Sequence, residues 1–124
     1  MAPSPGEEGF GGGFGVRRPL RFLAHKLDLD EKQVLLLARI LDELKTERAQ
    51  AAVDDRRTLA EFADALVGEQ FDAAKATSAR DRRVESNKRL SATLVRSLEQ
   101  IHAMLNPEQR ARLAHLIRTG VLAV

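Results

Sequence analysis

Apolar residues recur along this chain at steps of three and four, the spacing that gathers side chains on one face of a helix. Leu20, Leu23 and Leu27, with Phe22 beside them, predict a short helix from Arg17 through Lys26, and Pro19 suits its first turn. Leu29-Asp30-Glu31-Lys32-Gln33 then opens a long helix. Asp30 is a good N-cap, Gln33 stands at the capping-box position, and Leu29 is placed to staple onto Val34. Its stripe runs through Val34, Leu37, Leu41 and Leu44 and resumes at Leu59, Phe62 and Leu66 before Gly68 ends it. A third helix is predicted from about Glu69 to Leu105, striped by Val84, Leu90, Leu94, Leu98 and Ile101. Leu105-Asn106-Pro107-Glu108-Gln109 repeats the start signal, with Asn106 as N-cap, Pro107 at the first helical position and Gln109 three residues in. The last helix carries Leu113, Leu116 and Ile117 before Gly120.

The two long helices have nearly equal predicted length, about 37 residues or roughly 55 Å each. A two-residue break at Val67-Gly68 makes them an antiparallel hairpin. In that register Leu37 faces Leu98, Leu41 faces Leu94, and Leu44 comes near Leu90 and Ser91. Stretches 45–57 and 78–89 also face each other, and offer little beyond alanines, Val53 and Val84. A hairpin so thin in its middle gains a second layer by dimerising, so a homodimer is expected. The expected fold is therefore all-α: a long antiparallel hairpin with short flanking helices, four in all, forming one domain over 17–124 in an intertwined or cradle-shaped dimer.

Composition supports the helical reading. Hydrophobic residues make up 44% of the 124 and charged ones 31%, but aromatics only 4%, a mix that favours helices over sheets. Residues 1–16 hold six of the eight glycines and two of the four prolines, and read as a flexible tail in which Phe10 and Phe14 stand alone. That tail has no basic stretch followed by an apolar run, so it is not an intact signal peptide. The chain is thus a mature or trimmed form, or stays in the cytoplasm. No apolar run approaches the roughly 20 residues needed to span a bilayer, and with no cysteine there is neither disulfide nor thiolate metal site.

Charge is unevenly placed. Residues 30–66 carry six basic and nine acidic side chains, whereas 75–96 carry seven basic and two acidic. Cross-helix pairing absorbs part of this asymmetry, at little gain per pair. The remainder is a basic face for acidic partners. Nucleic acid is not expected among them, because the chain has no Tyr or Trp and no recognition-helix or single-strand-binding motif.

Material for catalysis is poor, and an enzyme is not expected. His25, His102 and His115 are widely separated and lie in no metal-ligating spacing. They are the only candidates for a weak divalent transition-metal site, should the flanking helices bring them to one end; packed or half-exposed histidines are the plainer expectation. The glycine-rich tail lacks the strand and the G-K-[S/T] ending of a phosphate loop. No cofactor is expected.

The two start signals, 76 positions apart and bracketing the hairpin, resemble the Spy/CpxP family of periplasmic envelope-stress proteins, defined by a twice-repeated L-T-x-x-Q motif. The resemblance covers about Leu20 to Val121, with Asp30 and Asn106 replacing threonine. Both are competent N-caps, so Leu29, Asp30, Gln33, Leu105, Asn106 and Gln109 are expected to be structural. The resemblance implies a thin antiparallel dimer in the periplasm that binds unfolded clients without ATP on a basic and apolar surface. Here the client-binding candidates are Arg80, Arg82, Arg83, Lys88 and Arg89, with Val53 and Val84 among them. Related four-helix proteins include metal sensors and metal-resistance proteins, so a metal-binding role is one alternative. An adaptor docking on a sensor kinase is another.

Overall fold

The computed structural model describes residues 17–124, and the expected glycine-rich tail over 1–16 lies outside the described residues. Four helices follow in order: α1 (Arg17–Lys26), α2 (Glu31–Leu66), α3 (Ala73–Met104) and α4 (Pro107–Arg118), with no strand among the described residues. The all-α, four-helix expectation holds. The described residues fall into two compact units. One comprises residues 17–46 together with Leu94–Val124, and the other is Glu47–Thr93.

The first unit takes its core from aliphatic side chains. Leu23, Leu27, Leu37, Ile40, Leu41, Leu44, Ile101, Leu105, Leu113 and Leu122 are buried. Burying one such side chain is worth about 1.5–3 kcal/mol. Leu122 joins because the chain turns back after α4. Gly120, at φ 79°, takes the left-handed conformation, its N–H bonds Ile117 O at 3.1 Å, and Leu122 N–H bonds Leu116 O at 3.0 Å. The end of α1 is built alike but with a costlier residue. Asp28 stands at φ 52° while Leu29 N–H bonds Ala24 O and Asp28 N–H bonds His25 O, the paired bonds of a Schellman cap. Leu29 therefore closes α1 two residues before α2 begins.

The second unit is a helical hairpin closed by residues 67–72. Its α3 start differs from the sequence expectation of Glu69. Asp72 Oδ1 accepts the Lys75 N–H at 3.0 Å, making Asp72 the N-cap, so the connection is six residues long. The longer connection shifts the register by about one helical turn from that of a two-residue break. Asp55 meets Arg83 and Asp54 meets Ser86. In the first unit the offset has the same sense: Leu36 and Ile40 line a groove with Gln100 and Met104.

The seam of the hairpin also departs from the expected stripe. Leu59 and Leu66 are exposed, at 53% and 70%, while Thr58 and Ala65 are buried. Along α2, Leu37, Leu44, Ala51, Thr58 and Ala65 recur every seven residues, and in α3 Ala79, Ser86 and Thr93 do the same. A seven-residue step keeps one line of side chains against a partner helix. In Glu47–Thr93 that line is made of alanines and hydroxyls.

Candidate functional site

Each start motif closes its own helix. Gln33 N–H donates to Asp30 Oδ1 at 2.8 Å and Asp30 N–H to Gln33 Oε1 at 3.0 Å; Asn106 and Gln109 repeat both bonds at 2.8 and 3.0 Å. The two capping boxes then join. Gln33 Nε2 donates to Gln109 Oε1 at 2.9 Å and Gln109 Nε2 to Gln33 Oε1 at 3.2 Å. Each carboxamide spends its other N–H on the backbone just ahead of the opposite box. Gln33 reaches Met104 O at 2.8 Å, and Gln109 reaches Leu27 O at 3.2 Å and Asp28 O at 3.4 Å. The result is an approximately two-fold arrangement in which each glutamine serves its own N-cap and its counterpart. Gln109 is buried and Gln33 half-buried, which suits carboxamides with all of their groups engaged. Asp30 and Asn106 fill the N-cap role expected of them. Leu105 is buried and Leu29 half-buried.

The client-binding candidates all lie in Glu47–Thr93. Val53 and Val84 are exposed. Arg82 pairs with Glu61, Arg83 with Asp55 at 2.7 Å, and Arg89 with Asp54 at 3.3 Å. Arg80 pairs with its neighbour Asp81, and Lys88 with Glu85. Arg83 also lies over the Phe62 ring, 5.4 Å from its centre. Every candidate cation is therefore matched by an acid of the same unit, which holds nine basic and nine acidic side chains.

Asp54 is the hub of this network. It accepts from Ser86 Oγ at 2.9 Å, Gln50 Nε2 at 3.1 Å and Arg89. The Ser86 bond first, then the Gln50 bond and the charge of Arg89, hold its carboxyl below the usual range. Arg48 stands apart. Its Nε is buried without a hydrogen-bond partner, and burial pushes its guanidinium pKa down.

Sequence reasoning did not name Asp54, Asp55 and Glu61 as counter-ions; the acidic excess of α2 was their signal, but choosing among nine acids required the register. It also placed Leu59 and Leu66 in the apolar stripe and Val67 in the break, and left out Phe71, although all four are exposed, Val67 at 83% and Phe71 at 60%.

His25, His102 and His115 do not form one metal-holding group. His102 borders a groove with Leu105, Arg110 and Ile117, whereas His115 borders another with Lys26 and Arg112. No group of three or more His, Asp or Glu side chains placed to hold a metal occurs among the described residues. No described helix is long and apolar enough to cross a membrane. A family model described as LTXXQ motif family protein matches residues 16–116. No curated protein matches the chain, nor does any solved structure.

Proposed function

Because the chain belongs to the LTXXQ motif family, we propose that it is a non-enzymatic, ATP-independent periplasmic chaperone of the Spy/CpxP type, acting as a homodimer on unfolded or stressed envelope proteins. The observation that carries this reading is the surface of Glu47–Thr93. Val53, Leu59, Leu66, Val67, Phe71 and Val84 are exposed there among arginines already paired to acids. Exposed apolar side chains on a charged helical surface suit loose contact with unfolded chains. Matched charge limits long-range attraction, so client binding rests mainly on apolar contact and weakens only modestly with salt.

The test is light scattering of a chemically unfolded client diluted into buffer without ATP, at low and high salt. Equimolar protein is expected to suppress aggregation at both. The Leu59→Ser/Val84→Ser double variant, altered only at exposed positions, should lose most of that effect. Client aggregation unchanged by the wild-type protein sinks the proposal.

A further inference from the structure

A groove of about 300 Å³ in the first unit is lined by Lys26 at the end of α1 and by Ala111, Arg112, His115 and Leu116 of α4. Its floor is apolar and its rim is basic. Unlike Arg80, Arg82, Arg83 and Arg89, none of Lys26, Arg112 and His115 is in an ion pair with a described residue. All three are exposed, and Lys26 Nζ lies 5.9 Å from the centre of the Phe22 ring. α1 contains no acidic residue and α4 only Glu108, one turn ahead of Arg112, while Asp28, Asp30 and Glu31 follow Lys26 without forming an ion pair with it. Lys26 and His115 sit in the last turns of their helices, where positive charge complements the helix dipole. Arg112 is mid-helix and has no such reason to be there.

We propose that this groove binds acidic–apolar polypeptide segments, taking one aliphatic side chain onto the Ala111–Leu116 floor while flanking carboxylates meet Lys26, Arg112 and His115. Arginine reads a carboxylate through two parallel N–H bonds, lysine as a point charge, and histidine through a ring N–H. The volume is at the lower end for ligand pockets, enough for a branched side chain rather than a long acyl chain. Charge complementarity selects the flanking residues, as in other acidic-motif sites built from basic clusters. The site lies outside Glu47–Thr93, so it stands or falls separately from the chaperone surface.

Fluorescence polarisation of a labelled decapeptide with one central Leu flanked by Glu residues tests it on the full chain. The wild-type protein is expected to bind. The Lys26→Glu/Arg112→Glu variant should bind at least tenfold more weakly, and Lys26→Gln/Arg112→Gln several-fold more weakly, with helical circular dichroism unchanged. Replacing the peptide's Leu by Ser should also cost about tenfold, and replacing its Glu residues by Lys should abolish binding. Equal affinity of wild-type and charge-reversed protein overturns the proposal, as does equal affinity for the Leu and Ser peptides. Binding to phosphatidylglycerol vesicles or to a free fatty acid without binding to the peptide overturns it too. Loss of peptide binding with aggregation suppression intact separates this site from the proposed chaperone surface.

Discussion

The two compact units use one seven-residue step and fill it with opposite chemistry. In the unit that contains both start motifs, the buried positions are Leu37, Leu44 and their aliphatic neighbours, each contributing a large apolar area. In Glu47–Thr93 the buried positions are Thr58, Ala65, Ala79, Ser86 and Thr93, and order is added by ion pairs of Arg82, Arg83 and Arg89. Partly exposed ion pairs contribute about 0–1 kcal/mol each, and small side chains bury little. One unit is held by volume and the other by many weak polar contacts. The second is therefore the more readily opened.

The sharpest way to break this contrast is to empty the aliphatic core. Leu44→Ala is expected to cost about 3 kcal/mol, read as a lower urea midpoint, and to weaken amide protection throughout the first unit. Next in size is Gln109→Glu, which keeps the shape of the side chain. The carboxylate still accepts from Asn106 N–H and Gln33 Nε2, but nothing remains to donate to Leu27 O and Asp28 O. A loss of about 2–3 kcal/mol is expected at neutral pH. It should shrink in mild acid as the carboxyl regains a proton to donate, which pairs of melting curves will show.

Smaller still is the response of the hairpin to acid. The folded state holds the Asp54 carboxyl below its usual value, first through Ser86, so it favours the charged form. That stabilisation is complete above the ordinary carboxylate range and is lost as pH falls through the lowered folded value. Hydrogen exchange should show amides of Glu47–Thr93 losing protection before those of the leucine-filled unit. In Asp54→Asn that pH dependence should flatten. The smallest change expected is for Thr58→Val. It removes the hydroxyl bond to Asp54 O at 3.0 Å and adds a buried methyl. Bonding back along a helix is slightly unfavourable, so a gain of about 0.5 kcal/mol is expected, local to Glu47–Thr93 and visible as increased amide protection.

Features written in short stretches of sequence were legible. Asp30 with Gln33 and Asn106 with Gln109 announce two helix starts within four residues each, and Leu37, Leu41, Leu44 and Ile101 announce a core by size. The hairpin seam was not, because Thr58, Ser86 and Ala79 carry no strong hydropathy signal, and only their step of seven betrays them. Leu59 and Leu66 misled for the converse reason: they are large, and they sit one position off the seam. Asp72 is hard to read as a cap because Gly68 already supplies a helix end four residues earlier, and the difference moves every cross-helix pair. The bonds between Gln33 and Gln109 were beyond reach altogether. Each glutamine already has a local role, so nothing in the sequence asks for a second.

Those bonds also bear on how the chain folds. A capping box forms between residues three apart, fast and independently of the rest. The glutamine pair joins residues 76 apart, and closing so long a loop carries an entropic cost that must be met before the contact yields anything. The boxes can therefore guide early helix formation while their mutual clasp closes late, after the transition state. Gln33→Ala and Gln109→Ala remove both bonds, so each should slow folding through the lost capping box and accelerate unfolding through the lost clasp.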